Sequence, residues 1–153
     1  MASHPATLGE AMPALLRHAG VWRGTYRIVD LEGRTLDFHH STIEVRFPAD
    51  GPYAYLQRNH FVWPDGRELR VEHPGVYRDG QLVWDTDHIA GHAWQGDART
   101  CILTWRRKDQ PDSHLYELIV LADTGLTRAR TWHWFRAGRL YQRTLIDEER
   151  VGD

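Results

Sequence analysis

From residue 20 onward the chain alternates. The stretch Gly20-Val21-Trp22-Arg23-Gly24-Thr25-Tyr26 starts a segment in which Trp22, Gly24, Tyr26 and Ile28 share one face, while Val21, Arg23, Thr25 and Arg27 share the other. Period two with one apolar or aromatic face describes a half-buried strand. Turn signals then recur at Glu32-Gly33, Asp50-Gly51, Asp65-Gly66, Asp79-Gly80, Gly125 and Ala137-Gly138. Glycine in such pairs supplies the positive φ that tight hairpins require. The segments between them predict strands at 21–30, 36–47, 53–63, 67–73, 76–78, 81–89, 100–107, 114–122, 127–136 and 139–147. Ahead of them Leu8, Met12, Leu15 and Leu16 have helical spacing, predicting one helix over 8–19 with Thr7 or Ser3 as cap and Gly20 as stop. Pro13 falls inside it and shortens the regular part towards the last two turns.

Short strands in succession, with a helix at one end only, make a meander, and a long meander removes its edges by closing. The expectation is therefore all-β: a closed antiparallel up-and-down barrel of eight to ten strands with a short N-terminal helix, forming a single domain over 1–153. A length of 153 residues suits one core. The formal charge of -2 recruits neither nucleic acid nor anionic lipid. The lone Cys101 excludes an intrachain disulfide framework and a cysteine metal cluster. No apolar run has membrane-spanning length, and Met1 to Leu8 lack the pattern of a secretion leader, so a cytoplasmic location is expected. Seven Trp and 10 His are many for this length, and indoles need a core or a cavity to cover them.

A short helix, then Gly-x-Trp (Gly20-Val21-Trp22) opening the first strand, then a meander, resembles the calycin superfamily: lipocalins, fatty-acid-binding proteins, nitrobindins and bacterial lipocalin-like domains. The wording HAGVWRGTY near the start and TWHWFRAGRLYQRTLIDE near the end is similar to bacterial lipocalin-like proteins of uncharacterised type. The resemblance implies that Trp22 plugs one barrel end with a basic residue of the last strand, Arg139 or Arg143, packed across it. It also implies a small-molecule ligand. The leader and disulfide of secreted lipocalins are missing, so an intracellular branch is the better comparison.

Alternation assigns candidate lining residues. Tyr55, Gln57 and Asn59 share a face with Tyr53, Phe61 and Trp63, and two amides among aromatics suit a wet or ligand-filled hollow. The opposite assignment puts His60 inside. Trp84 and His88 share another face, which His92 and Trp94 either continue or cover as a loop. With Ala137-Gly138 as a two-residue turn, Arg130, Trp132, Trp134, Tyr141 and Arg143 gather on one face, a wall suited to an aromatic ligand bearing an oxygen. Arg143 stacked on Trp22 as a plug is the competing reading, and a one-residue bulge would swap the faces and put His133 inside. Glu117, if inward, is desolvated unless Arg130 or Arg143 pairs with it; outward, it is solvated. His39 and His40 are adjacent in a strand, so their rings diverge and no shared metal is expected. Phosphate-cradling glycine loops, dinucleotide fingerprints and zinc-protease motifs are absent.

Three functional readings follow. The first is a cofactor-independent lyase, isomerase or cyclase on a hydrophobic, aromatic small molecule. In it His88 moves a proton with His133 or His60 in reserve, Glu117 is a further acid or base, Tyr141 and Arg143 hold an oxyanion, and Trp84, Trp132 and Trp134 clamp the ring. The second is a carrier or sensor without turnover, in its sharpest form a nitrobindin-like haem site ligated by His133 or His88. The third is an interaction domain whose barrel is filled. A homodimer is compatible with all three.

Overall fold

The computed structural model describes residues 7–153, and the Ser3 cap alternative lies outside them. The single helix expected over 8–19 is two, α1 (Leu8–Ala11) and α2 (Pro13–Leu16). Met12 between them sits at φ -136°, ψ 62°, because the ring of a following proline excludes the helical region, and Pro13 then takes the first position of α2. Thr7 caps α1 reciprocally with Glu10.

Ten strands follow: β1 (Gly20–Val29), β2 (Thr35–Arg46), β3 (Tyr55–Val62), β4 (Glu68–Arg78), β5 (Gln81–Asp85), β6 (Ile89–Gln95), β7 (Thr100–Arg107), β8 (Ser113–Leu121), β9 (Thr127–Arg136) and β10 (Arg139–Gly152). Each pairs antiparallel with its chain neighbours, and β1 closes the ring on β10. The fold is the expected closed up-and-down barrel. Two expected strands merge and one divides. The segments 67–73 and 76–78 are one strand, β4, because Pro74 faces the side where β5 starts pairing only at Val76. The segment 81–89 ends early because the Thr86 hydroxyl accepts the N–H groups of His88 (3.2 Å) and Ile89 (3.1 Å), which turns the chain into β6. The final hairpin is the two-residue turn expected, with Ala137 at φ 47° and Gly138 at φ 76°.

Interior strand glycines let the wall bend. A Cβ on Gly24 would stand 2.0 Å from the Asp147 carbonyl oxygen, and one on Gly91 2.2 Å from that of Thr104, so only glycine permits those approaches.

The helices close one end. There Trp22 is fully buried, donates through Nε1 to the His18 carbonyl at 2.9 Å, and lies between two guanidiniums, Arg128 at 4.3 Å and Arg150 at 4.5 Å from its ring centre. The tryptophan plug is as expected, but its last-strand partner is Arg150. Arg139 is exposed beside the β9–β10 turn, and Arg143 faces outward opposite His133. The reason is length: β10 continues past residue 147, and its register sets Trp22 opposite Arg150. Arg150 also donates to the carbonyls of Arg17, Ala19 and Gly125, tying the helix segment to the barrel. Among the described residues, no helix is long and apolar enough to cross a membrane.

Candidate functional site

The inner wall is far from apolar. On β3, Tyr55 donates to Gln57 at 2.5 Å, and Gln57 donates to Asn59 at 2.8 Å, so the amide face does point inward. His60 is outside, 3.0 Å from Glu68. On β8, Glu117 is inward and 2% exposed, which settles its two readings. Arg130 grips it through Nε (2.9 Å) and Nη2 (3.2 Å), and the Trp132 indole N–H also donates to it. Arg130 reaches the Tyr26 hydroxyl at 3.0 Å and Glu148 at 3.3 Å, and Glu148 in turn accepts from Arg128.

Two guanidiniums and two carboxylates thus cross the closed end of the barrel. Burial alone would raise the Glu148 pKa, but Arg128 and Arg130 outweigh it and hold the carboxyl below its usual range. Burial likewise works against charge on Arg130, and Glu117, Tyr26 and Glu148 hold it firmly protonated. Burial pushes the Tyr26 hydroxyl well above the usual phenol pKa. His18 is driven down to about 3, first by burial and then by Arg128, so it is neutral; its Nδ1 lies 3.1 Å from Arg128.

Beside this network lies a cavity of about 50 Å³ lined by Gln57, Asn59, His73, Trp84, Ile89, Leu103, Trp105, Glu117, Arg130 and Trp132. Six expected residues meet there: Gln57, Asn59, Trp84, Glu117, Arg130 and Trp132. Tyr55 stands behind Gln57, its hydroxyl pKa raised by burial. Trp134 is buried against Thr144 (3.0 Å) and stacks edge-on with Trp105 and Trp132 instead of lining the space. The Trp84 indole N–H is enclosed and has no hydrogen-bond partner among the described residues. His73 is held down to about 4 by burial and then by Arg130, so it is neutral at physiological pH.

The other expected residues are elsewhere. His88 is exposed in the β5–β6 turn set by Thr86, so it does not face the hollow. His92 and Trp94 do lie on a strand, β6, but stack on each other outside it, since Ala93 and Ile89 take the inner face. Arg143 and His133 are outside because β10 has a bulge: Leu140 pairs with Phe135 and Gln142 with Trp134, skipping Tyr141. The extra residue turns Gln142, Thr144 and Ile146 inward and Arg143 outward while leaving the faces of β9 unchanged. A bulge on β10 therefore displaces Arg143 without bringing His133 in. Tyr141 sits at the hairpin end, its hydroxyl 3.3 Å from Ser113 and its ring under Arg136.

His73 and Trp105 were missed by the sequence reading. The register pairs Gln57 with His73, so an inward Gln57 requires an inward His73. His39 and His40 diverge as expected: His39 is inside, 2.8 Å from Asp37, which also accepts from Trp63, and His40 is exposed. No group of three or more metal-ligating side chains occurs among the described residues. A haem does not fit the histidines expected to hold it, since His88 and His133 both lie outside the barrel. A concavity of about 670 Å³ lies on the outer wall around Gly24, between β8 and β2.

No protein-family model matches the chain, and no curated protein matches it. Solved structures do resemble it in fold. The S-type phycobiliprotein lyase CPES from Guillardia theta superposes with a TM-score of 0.70 at 16% identity, covering 90% of this chain and 90% of that one. Rv2717c from M. tuberculosis gives 0.62 at 14% identity, covering 92% and 97%. A protein of unknown function from the DUF3598 family of Nostoc punctiforme gives 0.65 at 16% identity; 90% of this chain is covered, and it spans only 49% of that protein. At these identities the likeness is one of fold, a lipocalin-like barrel.

Proposed function

We propose that this barrel binds a small, neutral aromatic molecule by an oxygen-bearing head that enters the cavity beside Trp84. The observation that carries the reading is the unpartnered Trp84 N–H in a wall that also carries two amides, an imidazole, two further indoles and the paired Glu117 and Arg130, with only Ile89 and Leu103 aliphatic. A buried donor left unpaired costs about 1–3 kcal/mol, and an acceptor oxygen on a guest removes that cost. Charge decides against a carboxylate head. Arg130 spends its donors on Glu117, Tyr26 and Glu148, and two buried guanidiniums already face two buried carboxylates. An added anion would be buried without a partner, at several kcal/mol. A carbonyl or phenol suits the site better.

Size sets the second condition. A cavity of about 50 Å³ is a third of the roughly 150 Å³ that receives a benzene, so the head group enters first and the ring is accommodated by movement of the partly buried Trp105 and His73. Turnover of lyase or isomerase type would rest on His73. With its pKa at about 4, it is a poor base near neutrality but a competent neutral donor to a carbonyl oxygen. A lyase with a barrel of similar fold supports that extension; binding without turnover needs less.

The test is a thermal-shift series with phenol, acetophenone, 4-hydroxybenzaldehyde and benzoate. The neutral carbonyl compounds are expected to raise Tm in the wild type and not in Trp84→Phe, with benzoate inactive. A shift from benzoate alone, or from none of the four, rejects the reading.

A further inference from the structure

The outer face of β8 does not look like a solvated wall. Its outward residues are His114, Tyr116, Leu118 and Val120, with Tyr116 49%, Leu118 44% and Val120 37% exposed. The register continues the apolar surface sideways: Leu118 lies between Ile102 and Thr131, Ile102 beside Trp94, and Thr131 beside Leu145. Not one Lys, Arg, Asp or Glu interrupts the block from Trp94 to Leu145. Contiguous apolar surface of this kind marks an interaction site more often than isolated exposed side chains do.

Its two ends carry opposite charge. Arg106 and Arg143 flank the Tyr116 end, and Asp147 and Glu149 flank the Val120 end. None of these four makes an ion pair among the described residues, although Arg23 lies across the ladder from Glu149. The acidic end is also the concave one: Val120, Ala129, Asp147 and Glu149 line the outer hollow of about 670 Å³. At the other end the Tyr116 ring is 49% exposed.

From this we infer that the outer face of β7 to β9 binds a second copy of the same chain about a two-fold axis near Leu118. A two-fold interface is self-complementary by construction, so what sits at one end must suit what sits at the other. Here Tyr116 and Arg143 of one copy meet the hollow and the two carboxylates of its partner, and the reverse contact forms at the other end. An unrelated partner gives no reason for a single face to carry both a knob and its socket, with matching charges.

Charge reversal tests the arrangement by sedimentation velocity on the full chain. Wild-type protein is expected to be a dimer at about 100 μM, and Leu118→Asp is expected to weaken dimerisation by about thirtyfold or more, the scale of a central contact. The Asp147→Lys, Glu149→Lys variant and the Arg143→Glu variant are each expected to be monomeric, and an equimolar mixture of the two is expected to restore a dimer. Thermal melts of each variant check that it folds. Monomeric wild-type protein overturns the proposal, as does a dimer that survives Leu118→Asp. Failure of the mixture to pair, with both variants folded, rejects the two-fold arrangement.

Discussion

Two buried polar regions lie within one barrel and differ in what surrounds their polar groups. At the closed end, Trp22 is held between two guanidiniums, and Glu148 is bonded by both Arg128 and Arg130. Partway along, the cavity beside Gln57, His73 and Trp84 keeps an indole N–H with nothing to bond and room for little more than water. The closed end is knitted by paired charges; its own unpartnered atoms, Arg128 Nη2 and His18 Nε2, belong to residues that do not line the cavity. The cavity retains polar groups that a purely structural core would replace with aliphatic ones. Scaffold and site are thus distinguished by whether an unpaired donor belongs to a residue lining open volume, not by polarity.

Breaking the closed end should have the largest effect. Glu148→Leu leaves Arg128 without its buried carboxylate and removes one partner of Arg130, a loss of about 3–5 kcal/mol measurable by urea denaturation. Trp22→Ala removes the plug and should cost about 3–5 kcal/mol by the same measurement, with the helix segment losing its packing. The comparison fails if either substitution costs less than its counterpart in the cavity.

Acid should act on both regions at once. His18 and His73 have folded pKa values of about 3 and about 4, lowered by burial and then by neighbouring arginines from an ordinary 6.5. The unfolded chain therefore takes up protons that the folded chain refuses. Stability is full above about pH 6.5, falls as pH drops towards the folded values, and stops responding to these groups below them. Urea midpoints between pH 7 and 5 should show this fall, and His73→Gln should flatten it while costing about 1 kcal/mol or less at pH 7. Smallest of all, His88→Ala should change stability by no more than about 0.5 kcal/mol, since the imidazole is exposed on a turn.

The fold was legible because alternation and turn chemistry are local. The Gly-x-Trp opening, the acidic-Gly turns and the Ala137-Gly138 hairpin each announce themselves within a few residues. What escaped depended on long-range register. One skipped residue at Tyr141 moved Arg143 from the inner wall to the outer, and nothing in the local sequence marks that bulge. His88 was misplaced because β5 ends at Asp85, three residues before it, where the Thr86 hydroxyl turns the chain. His73 was missed because its inward position follows only from the pairing of β4 with β3. Gln57, Asn59 and Arg130 were found because polar residues amid apolar alternation stand out wherever the strands pair, while the face of Glu117 stayed open and is decided by its contact with Arg130.

The most direct measurement is the indole N–H region of a 15N-correlated NMR spectrum, titrated with 4-hydroxybenzaldehyde at pH 7. The Trp84 resonance should move on binding, with Trp105 and Trp132 following, while Trp22 at the closed end stays fixed. Equal shifts at Trp22 and Trp84, or no shift at Trp84 at saturating probe, would contradict the division of the barrel into a charge-paired scaffold and an open site.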